Sequence, residues 1–155
     1  ADALSMCDFP DDLLDDAELR SGAAGATASK VSAHPLVRAA LIQRQRAFAQ
    51  QPGGAVLDGR DIGTVIAPDA DAKLFITASP NVRARRRHNE LQKAGDYTSY
   101  DALLRDLRER DRRDMMRTEA PLKQADDADL LDTSFMDIGP AVQRAIALVE
   151  ARIRP

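Results

Sequence analysis

Cysteine is almost absent from this sequence. Cys7 stands alone among 155 residues, so no intramolecular disulfide can form and a reducing, cytoplasmic setting is expected. Histidine is nearly as scarce: His34 and His88 lie far apart, without thiol neighbours or metal-ligand spacing, and no metal site is expected from them. No apolar run approaches a membrane span, so no membrane partner is expected. The formal net charge of -3 argues against a general nucleic-acid binder. Lysine is rare, with four in the chain, and no Gly-x-x-x-x-Gly-Lys-Ser/Thr phosphate loop occurs anywhere.

Arginine is plentiful and unevenly placed. Residues 1–20 hold seven acids and a single base, Arg20, whereas residues 83–117 hold ten of the eighteen arginines. The planar guanidinium fork suits phosphate oxygens. An Ala- and Arg-rich composition can follow from genomic base composition alone, so it is the clustering that requires a function.

The pattern of elements points to an α/β fold. Residues 1–19 suggest a short strand and a turn, followed by helical character from Arg20 to Ala33. Pro35 suits the first turn of a second helix, with Val37, Leu41 and Phe48 on one face, ended by Pro52-Gly53-Gly54. Ala55–Leu57, Lys73–Thr77 and Ala128–Asp132 read as strands. Ser79-Pro80 opens a helix running towards Gly95, and Ser99 caps another from Tyr100 to about Met116. A last helix covers Ile138 to Ile153, with Val142, Ile146, Val149 and Ile153 on its apolar face. Strands alternating with helices imply a parallel sheet with helical cover.

Three stretches carry candidate chemistry. Asp58-Gly59-Arg60-Asp61-Ile62-Gly63 follows the first expected strand, at the sheet edge where ligands bind in open α/β folds. Arg60 can grip a phosphate and Asp61 can accept from an amino group, so the pair suits a small ligand anionic at one end and amine-bearing at the other. Arg83-Ala84-Arg85-Arg86-Arg87 places successive arginines round a helix, so they cannot all reach one ligand. Arg110, Asp114 and Arg117, at i, i+4 and i+7, share one helix face. That basic-acidic-basic stripe suits phosphate and sugar hydroxyl, although ion pairs such as Asp106 to Arg110 and Glu109 to Arg113 would account for part of it.

From about Leu19 to the C-terminus these motifs, in order, resemble bacterial cytidylate (CMP) kinases. The resemblance rests on Ala55 to Pro68, on Ala28-Ser29 followed by Pro35-Leu36-Val37-Arg38, on the Arg-Asp-x-x-Asp-x-x-Arg pattern from Arg110 to Arg117, and on Ala120-Pro121-Leu122. It implies a P-loop nucleoside monophosphate kinase-like parallel sheet with helices on both faces, plus a nucleotide-binding insertion and a helical lid. Residues 1–52 would form the later part of that insertion and the following helix. Residues 53–155 would form the α/β core, with the lid at about 95–120. The resemblance also implies ATP as phosphate donor with Mg²⁺, and CMP or dCMP as acceptor in a monomer. Ser29, Arg38 and Asp61 would recognise cytosine. Arg60, Arg110 and Arg117 would hold and activate the phosphates, and Asp114 would take a sugar hydroxyl. Arg86 or Arg87 would approach the donor nucleotide.

Cytidylate kinases carry a phosphate loop near their N-terminus, so this chain is expected to be the later portion of such an enzyme and, alone, to lack turnover. A catalytically silent nucleotide-binding module and another small-molecule kinase of the same fold are the alternatives. The combination of Ser29, Arg38 and Asp61 favours cytosine over the latter.

Overall fold

The computed structural model describes residues 7, 13, 15–32, 34–118 and 120–153, with the side chains of Arg20 and Ser29 outside the description. The chain divides into two compact units, residues 1–57 and 58–155.

In the first unit a 3₁₀ turn, Ala17–Arg20, is capped by Asp16, whose carboxylate accepts the Glu18 N–H at 2.8 Å. The strand expected near the N-terminus falls largely outside the described residues. Helix α1, Gly22–Val31, starts where the Ser21 hydroxyl accepts the Ala24 N–H at 3.1 Å. Helix α2, Pro35–Ala49, has its proline in the first turn, where no backbone N–H is needed. Val37 is buried on its inner side while Phe48 is half-exposed, so the expected apolar face is covered at one end only. Gly53 and Gly54, at φ +93° and +84°, turn the chain through conformations that side chains disfavour.

Ala55–Leu57 is not a strand. The segment has no ladder partner, and Val56 is 95 % exposed. Apolar content alone does not make a strand without a neighbour to bond, and the two strands described bond each other.

The second unit holds a parallel sheet. Strand β1, Leu74–Thr77, pairs with β2, Asp129–Asp132, in the register Leu74 with Asp129 through Thr77 with Asp132. The crossover between them carries helices α3, Pro80–Lys93, and α4, Tyr100–Met115, which pack on each other. Their starts follow the local chemistry expected of Ser79 and Ser99, whose hydroxyls accept the Val82 and Ala102 N–H groups. Gly95, at φ +81°, closes α3. At the interhelix contact Arg85 stacks 5.4 Å from the Tyr100 ring centroid and His88 meets the same ring edge-on; Ala84 of α3 is fully buried.

Lys73, just before β1, is buried. Its Nζ donates to Asp127 Oδ2 at 2.6 Å and to the Pro68 carbonyl, tying the approaches to both strands together. Helix α5, Ile138–Ile153, follows β2. Of its expected apolar face, Val142, Ile146 and Ile153 are exposed and Val149 is half-buried.

The last turn of α5 is held to β2 by Arg152, whose Nε and Nη2 donate to Asp129 at 2.9 and 3.1 Å. Those hydrogen bonds hold the Asp129 carboxyl below its usual range. A folded-state value below the unfolded one adds stability that is complete above about pH 4 and disappears as pH falls through the depressed value. Asp129→Asn should therefore lower Tm at neutral pH and make the fall of Tm between about pH 5 and pH 2 shallower. Thermal unfolding across that range checks it; an acid limb identical to wild type would contradict the assignment.

Candidate anion-binding site

The site is assembled around one carboxylate. Asp114, near the end of α4, is 2 % exposed, and three arginines converge on it. Arg117 Nη2 donates to Oδ1 at 2.6 Å, and Arg60 Nε donates to Oδ2 at 3.0 Å. Arg110 Nε lies 3.9 Å from Oδ2, buried and without a hydrogen-bond partner. Three positive charges against one negative leave a local charge of +2. The arginine side chains keep 15–40 % of their surface, so the cluster faces solvent through its guanidiniums and hides its carboxylate.

Local structure explains the convergence. Arg110 and Asp114 lie one turn apart on α4, which brings them to one side. Arg117 lies past the helix end at Met115 and reaches the same carboxylate from the following segment, so the single helix face expected for all three holds for two of them. Past α4 the backbone doubles back: Ala120 takes φ +48°, an uncommon conformation for a side-chain-bearing residue, and the Leu122 N–H donates to the Asp114 carbonyl at 2.8 Å. Arg60 comes from the hexapeptide loop. There the Asp61 carbonyl accepts N–H groups from Thr64, Val65 and Ile66 and starts a single π-type turn, Ile62–Ile66. Gly59 permits this loop, since a Cβ there would stand 2.9 Å from Ile62 side-chain carbons.

The other expected residues take separate positions. Ser29 lies on α1, with its side chain outside the description, and Arg38 lies in the first turn of α2, both in the first unit. Asp61 adjoins Arg60 in the second. The arginine run spreads round α3, as its spacing requires. Arg85 stacks on Tyr100, and Arg87 pairs with Glu90 at 3.2 Å. Arg86 donates to the Thr133 hydroxyl and to the Thr133 and Met136 carbonyls at 3.1, 2.7 and 3.0 Å. On α4, Glu109 draws both Arg112 (2.8 Å) and Arg113 (3.9 Å), and the Arg112 hydrogen bonds hold its carboxyl below the usual range. Arg110 is drawn to Asp114, whereas sequence spacing had offered Asp106.

Two residues beside the site stand in the sequence reading only as parts of longer stretches, Arg83 in the arginine run and Asp111 in the Arg-Asp-x-x-Asp-x-x-Arg pattern, with no role of their own. Arg83 makes a two-pronged ion pair with Asp111, at 3.0 and 2.5 Å, that holds the guanidinium charged. The available signal was the second residue of Arg110-Asp111-x-x-Asp114-x-x-Arg117, an acid one turn before Asp114.

A parallel α/β unit presenting clustered arginines beside a glycine-containing loop belongs to the phosphate-handling class of domains. The cytidylate kinase family model matches residues 10–151. A cytidylate kinase of Xanthobacter autotrophicus is 60 % identical over 139 residues, covering 90 % of this chain and 67 % of that protein. One from Rhodopseudomonas palustris is 57 % identical, covering 88 % and 65 %, and one from Methylocella silvestris is 52 % identical, covering 97 % and 68 %. The chain thus spans about two thirds of the length of these relatives. It belongs to the cytidylate kinase family.

Removing the central carboxylate leaves three guanidiniums facing one another. Asp114→Ala should destabilise the protein towards the low end of the roughly 3–5 kcal/mol that breaking a buried ion pair costs, because the arginines retain some water. Urea unfolding measures this; a change below about 0.5 kcal/mol, usual for a surface substitution, would mean that the cluster is effectively solvated.

Proposed function

We propose that this chain carries the acceptor site and lid of a kinase that transfers the terminal phosphoryl group of ATP to CMP or dCMP. The observation that carries the reading is the +2 cluster on Asp114. A nucleoside monophosphate brings a phosphate of up to two negative charges at neutral pH, matching that deficit in sign and size. Arg60, Arg110 and Arg117 would share its oxygens. Asp114 would hold the three cations together, and a sugar hydroxyl would take one of its lone pairs as an arginine moves off to the phosphate. Asp61 would accept from the cytosine N4 amino group, while Ser29 and Arg38 would donate to O2 and N3. Arg86 and Arg87 remain candidates for the donor nucleotide, although Arg86 is already held by Thr133 and Met136.

Phosphoryl transfer forms no covalent intermediate with such a protein, so its work is positioning and charge neutralisation. As charge spreads over the transferring group, donors already in place stabilise it without reorganising. Closure of the lid over the substrates would exclude water, a competing acceptor. Among the described residues no group of three or more His, Cys, Asp or Glu is placed to hold a metal. Mg²⁺ would be carried by the nucleotide phosphates, as is usual for this ion, where it neutralises charge.

The reading predicts that Arg110→Ala in the full-length protein lowers turnover on the order of 10²-fold with ATP affinity little changed. Coupled rate measurements beside an ATP titration check it, and full turnover would make Arg110 a surface ion-pair partner.

Base choice gives a second test. Against UMP the Asp61 carboxylate would face a carbonyl oxygen, a mismatch of about 1–3 kcal/mol, or roughly tenfold to a hundredfold. Asp61→Asn should narrow the CMP-to-UMP ratio of kcat/KM, whereas Arg60→Ala should weaken both substrates alike. A ratio unmoved by Asp61→Asn removes Asp61 from base recognition. Nucleotide binding without turnover in the full-length wild type would instead indicate a silent module.

A further inference from the structure

Asp111 lies beside Arg110 in sequence and one turn before Asp114, yet it takes no part in the arginine cluster. Both its oxygens accept from the guanidinium fork of Arg83, at 3.0 and 2.5 Å, with side-chain exposures of 22 % and 33 % for Asp111 and Arg83. Arg83 has a third bond: its Nε donates at 2.9 Å to the carbonyl of Ala78, a buried residue just past β1. All three nitrogens of this guanidinium are thereby engaged between the end of β1 and the last two turns of α4. A fork held this way fixes direction as well as distance, which a lysine at the same place would not do.

The geometry points to Arg83 as a positioning residue for the anion site, acting through Asp111; this rests on the phosphate-binding reading of the Asp114 cluster. Two effects combine. The fork sets the rotation and height of α4 against β1, and with them the places from which Arg110, Asp114 and Arg117 project. It also neutralises Asp111. Without that partner the Asp111 carboxylate would stand uncompensated one turn from Asp114, and the local charge would fall from +2 towards +1. Arg83 therefore touches no ligand but determines how strongly the cluster attracts one.

The charge effect separates this role from simple scaffolding, because deleting Asp111 should then repair the loss of Arg83. The experiment compares the full-length wild type, Arg83→Ala and the double variant Arg83→Ala/Asp111→Asn. Inorganic phosphate, which has no base to recognise, is titrated by NMR, and KM and kcat are measured for CMP at saturating ATP. Arg83→Ala should weaken phosphate binding and raise KM for CMP about tenfold, with kcat within about threefold of wild type. Adding Asp111→Asn should recover at least threefold of each loss. Unchanged phosphate affinity in Arg83→Ala, or a double variant no better than the single one, overturns the inference. If Arg83→Ala does not fold, Arg83→Gln, alone and with Asp111→Asn, gives the same comparison, because it removes the charge and keeps an amide donor. A wild type that binds phosphate but does not phosphorylate CMP overturns the kinase reading, and the phosphate titrations then decide the role of Arg83 on their own.

Discussion

A carboxylate withdrawn from water must be compensated, and in this protein that need falls on Asp114. Burial of an isolated charge costs several kcal/mol even after relaxation. Here the compensation is drawn from three places: a loop before β1, the preceding turn of α4, and the segment just beyond that helix. Each arginine is held near two others of like charge, which it would avoid without the common counterion. The carboxylate thereby ties the Arg60 loop and the Arg117 segment to the end of α4, while the Asp114 backbone carbonyl accepts the Leu122 N–H where the chain returns through Ala120. The same compensation, being incomplete, leaves positive charge for a ligand.

Helix α3 connects this cluster to the sheet. Two of its arginines, three positions apart, reach in different directions: Arg83 to Asp111 on α4, and Arg86 to the carbonyls that follow β2. Between them in sequence lies Ala84, fully buried, where a larger side chain would overpack its surroundings. The end of β2 is bound in turn to that of β1, since Thr133 donates to the Thr77 carbonyl through both its N–H and its hydroxyl. A continuous set of charge-assisted and backbone bonds thus runs from the strand ends to α4.

What could be read from the sequence was what is decided locally. Ser79, Pro80 and Ser99 mark helix starts because capping depends on residues within one turn. The common side of Arg110 and Asp114 follows from helical period, whereas Arg117 lies past the end of α4 and is placed by its ion pair with Asp114. Ala55–Leu57 fails as a strand because pairing depends on a neighbour that local composition does not supply. The bond from Arg60 to Asp114 spans 54 residues and that from Arg83 to Asp111 spans 28. Neither has a local signature, and the first was approached only through family resemblance. The direction of Asp114 was also beyond periodicity: a stripe shows which residues share a side, and burial decides which of them faces inward.

The parallel pairing of β1 with β2 has a kinetic consequence. Leu74 meets Asp129 across fifty-five residues, whereas α3 and α4 are separated by a six-residue link from Ala94 to Ser99. Closing the longer loop costs about 2 kcal/mol more in chain entropy on simple scaling. Contacts that close short loops form first, and distant strand pairing is slow. The helical hairpin, with the Arg83–Asp111 fork inside it, is therefore the natural nucleus, and the sheet completes itself around a joint already made. A substitution in that fork would slow the route to the folded state as well as alter the state reached.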